Sequence, residues 1–193
     1  PMAAFVGVYG HQMSTNFFRF AAPALALTLA LGLSACSDDA DDAQPGLSES
    51  TATGSVSNAE TLTGATAAIA AAESAVSGTA FAIDTDRRGW EVAVAVGDRE
   101  HEVVVDAAGE NVLNSREDGR LDSEVSADLP NVKISLSQAL ALATKASPGT
   151  VEDAELDRER GVTIWAVTML SGRTETEVYL NAADGTVVKV EKD

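Results

Sequence analysis

An internal repeat is the feature that most constrains what this chain of 193 residues can fold into. Three landmarks recur at an offset of 75 positions, namely Trp90 with Trp165, Glu102 with Glu177, and Asp106 with Asn181. Each copy opens with an Ala-rich stretch, turns at a Gly, and continues through alternating segments. A repeat of this kind indicates that one small supersecondary unit occurs twice.

The start of each copy has the spacing of a helix. In the second copy, Ser135 and Gln138 form a capping-box pattern, Leu136 and Leu140 share one face, and the Pro148-Gly149 pair ends the helix. In the first copy, the apolar residues of the corresponding stripe are seven positions apart, at Leu62, Ile69 and Val76. The sequence therefore predicts one helix at the start of each copy.

Period-two alternation follows each helix. Trp90, Val92, Val94 and Val96 alternate with Glu and Ala, and the pattern returns at Val103 and Val105. Such alternation is typical of strands with one buried face, and Gly109 and Gly185 suit hairpin turns. We predict an α+β fold of two tandem units, each a helix packed on a three- or four-stranded antiparallel sheet. Units of 55–60 residues are marginally stable alone, because domains of this size bury only about 60% of their surface, so we expect the two to dock or to order on a partner.

Composition divides the chain into five segments. We predict a signal peptide at 1–35, an acidic disordered tether at 36–62, a first unit at 63–118, a linker at 119–133 and a second unit at 134–193. The tether is rich in Ser, Thr, Asp, Gly and Ala, which cannot bury enough apolar surface to fold.

The first segment has the pattern of a lipoprotein signal peptide. Arg19 precedes the apolar run Phe20–Leu33, which is too short to span a membrane and suits a signal-peptide core. The run ends in Leu33, Ser34 and Ala35 before Cys36, which resembles a lipobox. We predict signal-peptidase recognition at those three residues, lipidation of the Cys36 thiol with palmitate among the attached acyl chains, and a true start at Met13.

Charge excludes several classes of function. Residues 36–193 hold 12 basic and 30 acidic residues, a net charge of −18. Nucleic-acid binding needs positive charge, so it is excluded, and direct adhesion to anionic lipid is disfavoured. We therefore expect a lipid anchor to hold the protein at the extracytoplasmic face of the cell membrane, since acyl chains outweigh screened repulsion.

Few residues could carry chemistry. After the lipidated Cys36, His101 is the remaining imidazole, and we interpret it as a solvated histidine where a strand opens. Paired carboxylates such as Asp84 with Asp86 and Asp153 with Glu155 fall on strand faces and carry little weight in so acidic a chain. We predict no catalytic residue, no metal site, no cofactor and no enzymatic activity. Trp90 and Trp165 are interpreted as core residues rather than ligand-stacking ones.

The ordered set of patterns resembles the PepSY domain. The resemblance rests on the helix, the turn, the Trp-bearing strand and the closing hairpin, at Gly89–Val92, Glu102–Leu113 and Glu177–Val188. It implies a cystatin-like α+β fold and a role in restraining peptidases. Asn181 stands where the first hairpin has Asp106, so a carboxylate is not required there.

Two hypotheses follow. The first is a lipid-anchored, noncatalytic regulatory protein of the bacterial envelope that restrains an extracytoplasmic peptidase or binds another envelope protein, by pairing an exposed sheet edge with a partner's extended segment. The alternative is a structural or weakly cation-binding envelope lipoprotein with no peptidase client.

Overall fold

The computed structural model of the protein describes residues 57–192. Within this range, one helix and four strands are followed by a short helical connection and then by one helix and four more strands. The bounds are α1 Asn58–Val76, β1 Thr79–Asp86, β2 Gly89–Val96, β3 Arg99–Asp106, β4 Val112–Arg120, α2 Ser123–Asp128, a 3-10 turn Leu129–Asn131, α3 Leu136–Ala146, β5 Thr150–Glu159, β6 Val162–Ser171, β7 Thr174–Asn181 and β8 Val187–Lys192. The predicted α+β class is confirmed.

All eight strands form a single antiparallel sheet in the order β4-β3-β2-β1-β5-β6-β7-β8. The two halves join where β1 pairs with β5, through the register pairs Ala82 with Glu155, Ile83 with Ala154, and Asp84 with Asp153. The first strand of each half therefore lies at the centre of the sheet, and the last strand lies at an outer edge. The expected docking of the two halves takes place through this backbone pairing.

The long helices pack side by side on one face of the sheet and contact each other. The buried side of α1 consists of four small residues, Gly64, Ala65, Ala68 and Ala72, together with Ile69. Small side chains let the helix approach the sheet closely. Gly64 shows this, because a Cβ there would lie 2.6 Å from the carbonyl oxygen of Ala107.

The buried tryptophans belong to the core beneath the helices. Trp165 is 1% exposed, and its indole Nε1 donates to the Ile134 carbonyl at 2.8 Å. Trp90 is 4% exposed and donates to the Ala107 carbonyl at 3.2 Å. The indole N–H groups are thus satisfied by backbone, as buried indoles require. Both residues pack in the core as the sequence predicted.

The first helix begins earlier than expected. The tether was predicted to run to residue 62, but α1 starts at Asn58. Ser57 caps it: the Glu60 N–H donates to the Ser57 Oγ at 3.3 Å, and the Ser57 N–H donates to the Glu60 carboxylate at 2.8 Å. This reciprocal capping box satisfies two free N–H groups and fixes the start of the helix inside a polar segment.

The predicted linker at 119–133 is also structured. Strand β4 continues to Arg120, Leu121 is buried, and α2 packs Val125 into the main core. Asp128 at the end of α2 is 2% exposed and forms an ion pair with Arg158 of β5. The segment therefore connects the halves as a packed element.

Asp128 provides a test of this connection. Its carboxylate accepts from the Arg158 Nε at 3.1 Å and from the Thr163 hydroxyl at 3.1 Å, and the Arg158 hydrogen bond holds the pKa of Asp128 below its usual range. We expect Asp128→Ala to lower the free energy of unfolding by about 1–3 kcal/mol, since it removes hydrogen bonds to a buried charge. Urea denaturation measures this loss.

Asp98→Ala is the matched control, because Asp98 pairs with Arg120 while its side chain is 69% exposed. An exposed pair contributes about 0–1 kcal/mol. Equal losses in the two variants would contradict a structural role for the α2 connection.

Candidate functional site

Two outer edges and one face of the sheet are left uncovered by the helices of the described range. The outer edges are β4 and β8. Both expose apolar side chains: Val112 and Leu113 on β4, and Val187, Val188 and Val190 on β8, each 41–53% exposed. An edge strand carries unpaired backbone N–H and C=O groups, so these strands can accept an added strand.

The face opposite the helices, called here the open face, has its own small apolar cluster. Ile164, Ala166 and Tyr179 are buried together, apart from the main core. Register places Glu155 beside Ala166, and Ala166 beside Tyr179. Directly paired residues of neighbouring strands have their side chains on the same face of a sheet, so Glu155 lies on the open face with Ala166.

Carboxylates meet at the centre of the open face. Glu91 of β2 pairs directly with Asp84 of β1, and Asp84 pairs directly with Asp153 of β5. The next row holds Glu102 beside Ala93, and Glu155 beside Ala82. These five acidic residues, Asp84, Glu91, Glu102, Asp153 and Glu155, are called the acidic patch.

Like charges placed directly opposite each other on neighbouring strands repel. Burial, followed by the charges of Asp157 and Asp153, raises the pKa of Glu155 to about 7. Burial also raises the pKa of Asp153 to about 6, and nearby Asp84 adds to that shift.

Glu91 is the most buried member of the patch, at 6% exposure. Burial, together with the adjacent Glu102 carboxylate, raises its pKa. Among the salt bridges within residues 57–192, none reaches Asp84, Glu91, Asp153 or Glu155, whereas Glu102 pairs with Arg116 at the β4 side. In the described range, these four carboxyl groups therefore have no basic counterion.

The sequence analysis gave little weight to the carboxylates of Asp84, Asp153 and Glu155. The structure shows that this interpretation was incomplete, because the three residues lie together. Asp153 and Glu155 do lie on a strand face, as expected. Their neighbours come from β1 and β2, about 70 positions earlier, and only the β1–β5 register brings them together. Asp84 and Asp86, which the sequence suggested as a pair, have different partners in the structure. Asp84 lies in the acidic patch, whereas Asp86 forms an ion pair with Arg88 at the turn after β1.

The environment of His101 differs in part from the solvated position that the sequence analysis gave it. His101 lies within β3, an inner strand, between Val94 of β2 and Glu117 of β4, and is half-buried. It is the third residue of β3, so its position near the start of a strand agrees with the interpretation, whereas its half-burial on an inner strand does not agree with a solvated histidine. In the described part of the chain, no group of three or more His, Cys, Asp or Glu side chains is arranged to hold a metal ion.

A cleft of about 1070 Å³ lies between the start of α1 and the turn after β1. Its lining includes Trp90, Val151 and Leu170 together with Arg87 and Glu152. Because the lining combines apolar side chains with charges of both signs, it does not point to a single ligand chemistry.

The predicted lipidation site Cys36 and its recognition residues Leu33, Ser34 and Ala35 lie outside the described residues. The signal peptide and most of the tether lie outside them as well. Across residues 57–192, neither long helix combines the length and apolarity needed to span a bilayer.

The described part of the chain is thus an antiparallel sheet with two long helices on one face and two outer edge strands, β4 and β8. Residues 133–191 match the PepSY family, described as the peptidase propeptide and YPEB domain. The match covers the second helix-and-four-strand half, and the PepSY resemblance noted in the sequence is confirmed for those residues. The match does not extend to the first half, whose assignment as a PepSY unit stays a prediction.

Several known proteins are similar. The uncharacterised protein YkoJ of Bacillus subtilis (strain 168) is 29% identical over 129 residues, which is 64% of this chain and 71% of YkoJ. The crystal structure of a candidate lipoprotein, CD1622, from Clostridium difficile 630 is 24% identical and covers 60% of this chain and 82% of its own, with a TM-score of 0.41. A BLIP-like protein, BF1215, from Bacteroides fragilis NCTC 9343 is 21% identical, covers 66% and 84%, and has a TM-score of 0.25.

The two structural alignments are too loose to transfer a function. The PepSY match supports a binding or regulatory role of the kind that peptidase propeptides have, and PepSY domains are generally noncatalytic.

The raised pKa of Glu155 predicts how stability depends on pH. A carboxyl whose folded pKa is about 7 stabilises the fold below its ordinary pKa, and this contribution is lost as the pH rises through about 7. We expect Glu155→Gln to raise the free energy of unfolding at pH 8 by about 1–3 kcal/mol and to change it little at pH 4. Urea denaturation across this range measures the difference.

Glu110→Gln is the control, since Glu110 is exposed in the turn after β3. Its effect should stay within about 0.5 kcal/mol at every pH. If Glu155→Gln gave the same small, pH-independent change, the repulsion within the acidic patch would be disproved.

Proposed function

We propose that this protein is a noncatalytic envelope protein, held at the extracytoplasmic face of the membrane by acyl chains on Cys36, that binds and restrains a peptidase. The observation that carries the proposal is the outer strand β8 of the PepSY domain, which has a free edge and three exposed valines. The PepSY match supplies the peptidase connection.

Strand addition is the mechanism that these edges favour. The two halves pair with each other through β1 and β5, so these strands have no free edge. Within residues 57–192, β4 and β8 are therefore the two outer strands of the sheet. An extended segment of a peptidase that pairs with β8 would gain main-chain hydrogen bonds. Val188 and Val190 would add apolar contact area at that edge.

β8 is the better of the two edges for this role. It lies inside the PepSY match and carries three exposed valines in six residues. Charge does not separate the two edges, because β4 carries Arg116, Glu117, Asp118 and Arg120 in nine residues and β8 carries Lys189, Glu191 and Lys192 in six. The PepSY match and the valines therefore carry the preference for β8.

Inhibition of a peptidase tests this mechanism. The full chain, purified in detergent, is titrated against thermolysin and against a secreted subtilisin-type peptidase. We expect inhibition of at least one, and we expect the double variant Val188→Lys/Val190→Lys to weaken it about tenfold or more, because two lysines would charge the docking edge. Val112→Lys on the opposite edge should leave inhibition within about twofold.

Circular dichroism melting establishes that the three proteins are equally folded. Inhibition that survives the β8 variant undiminished would refute strand addition at β8. Digestion of the chain by both peptidases without any slowing of their activity would refute the restraining role.

The lipid anchor has a separate test. We expect cells that express the chain to incorporate labelled palmitate and to retain the protein in carbonate-washed membranes. Cys36→Ser should abolish both, since acyl chains contribute about 0.8 kcal/mol per buried CH₂ and the acidic chain otherwise repels anionic headgroups. Ser37→Ala is the control and should leave both unchanged. Membrane retention of Cys36→Ser would contradict the anchor.

A further inference from the structure

We propose that strand β8 pairs with β8 of a second copy of this chain, antiparallel and about a two-fold axis at Val190. The dimer would cover the edge that a peptidase segment would use, so a second copy and a peptidase would compete for β8. Only this competition rests on the proposed function. The pairing itself follows from the sequence and position of β8.

The position of β8 suits such a contact. The strand runs from Val187 to Lys192 at the outer edge of the sheet. An outer strand presents backbone N–H and C=O groups to an added strand. Val190 is 43% exposed at this edge, although its register partner Val178 on β7 is fully buried. An added strand would therefore cover Val190 as well as pair with the backbone.

Symmetry limits how two β8 strands can pair. A two-fold axis normal to the sheet leaves every side chain on its own face, and side chains alternate between the faces along a strand. Residues directly opposite each other must therefore be an even number of positions apart. The axis accordingly passes beside one residue, which lies opposite its own copy, and every other contact occurs twice.

The charges of β8 select among the possible axes. An axis at Lys189 would set this lysine against itself, and an axis at Glu191 would do the same for the glutamate, so both registers are opposed by repulsion. An axis at Val188 leaves few residues to overlap and gives Lys189 no acidic partner. An axis at Val190 places Lys189 opposite Glu191 of the second copy, and does so twice. The strand is therefore complementary to itself in this register.

The two charged side chains lie on one face of β8. Register places Lys189 beside Tyr179 and Glu191 beside Glu177, which is the side of the open face. The Lys189 Nζ lies 2.6 Å from a Glu191 carboxylate oxygen within the chain, and the two side chains are 36% and 45% exposed. In the dimer, two such ion pairs would lie side by side with alternating signs. Each lysine would then gain a second carboxylate across the axis.

The dimer should be weak. Its contact is confined to one short strand of each copy, whereas a standard interface buries about 1,200–2,000 Å². Each chain also has a net charge of −17, and the resulting repulsion is largely screened beyond about 8 Å at 0.15 M salt. We expect a dissociation constant of roughly 10–100 μM.

Sedimentation velocity tests the dimer. The full chain is measured in density-matched detergent at about 0.15 M salt, over about 5–500 μM, a range that brackets the expected constant. We expect monomers at the low end and dimers without larger species at the high end, because a two-fold contact is closed. Monomers throughout would overturn the proposal. Open-ended oligomers would also overturn it, since they would indicate that unlike edges pair.

Charge exchange tests the register. Lys189→Glu sets a glutamate opposite Glu191, and Glu191→Lys sets a lysine opposite Lys189, so each variant alone should dimerise about tenfold or more weakly. Mixed in equal amounts, the two variants should form a heterodimer within about threefold of the unmodified affinity. In that mixture every lysine again faces a glutamate across the axis. The mixed pair has the same total charge as two unmodified chains, so net charge does not explain a recovery.

Arg120→Glu is the matched control. It makes the same change of charge on the other outer strand, where the Arg120 side chain is 78% exposed and pairs with Asp98. Dimerisation should stay within about twofold. Circular dichroism melting checks that all three variants are folded. Equal weakening by Lys189→Glu and Arg120→Glu, or no recovery in the mixture, would overturn the proposal.

Thiol cross-linking locates the axis. In the full chain carrying Cys36→Ser, Val190→Cys is the single thiol. Directly opposite residues of antiparallel strands have Cα atoms about 4.5–5.5 Å apart, within the range of a disulfide. Diamide, which takes up the two electrons and two protons of the thiols, should therefore yield a covalent dimer on a non-reducing gel.

Val112→Cys in the same background is the control for cross-linking, because Val112 on β4 is 41% exposed, close to the 43% of Val190. It should cross-link far less. Equal yields from the two positions would contradict an axis at Val190.

None of these measurements contains a peptidase, so the two proposals can fail separately. A dimer formed by a chain that inhibits no peptidase would support the pairing and contradict the restraining role. Inhibition by a chain that stays monomeric throughout would do the reverse.

Discussion

The pairing of β1 with β5 is the interaction on which the rest of the structure depends. It joins two helix-and-four-strand halves into one sheet through three register pairs. Because the first strand of each half lies at this junction, the long helices lie side by side on one face and the last strands, β4 and β8, lie at the rim. The same register places carboxylates from both halves next to each other on the other face. One backbone pairing therefore determines the core, the free edges and the acidic patch together.

Features that depend on neighbouring residues could be predicted from the sequence. The Ser135 capping box, the Trp-bearing strands and the turn at Gly109 are set by spacing over a few positions. The start of α1 was missed because the Ser57 and Glu60 capping box lies at the end of a polar, Ser- and Thr-rich stretch. That composition predicts a tether, yet the two reciprocal hydrogen bonds are enough to begin a helix there.

The junction and the acidic patch could not be predicted in this way. The pairing of Asp84 with Asp153 joins residues far apart in the chain, and like charges directly opposite each other argue locally against it. It is tolerated because Ile83 and Ala154, one position along, are buried in the shared core. The gain from burying the joined helix face outweighs the cost of placing carboxyl groups together on the opposite face. There, burial and, to a smaller extent, the neighbouring carboxylates raise the pKa values of Asp153 and Glu155.

The free edge at β8 would recognise a partner mainly through its backbone. Strand addition uses main-chain hydrogen bonds, which give affinity but discriminate little between sequences. Selectivity at this edge would therefore have to come from the side chains of β8. Because successive side chains of a strand lie on opposite faces, the exposed valines Val187, Val188 and Val190 favour an added segment with apolar residues where it passes them.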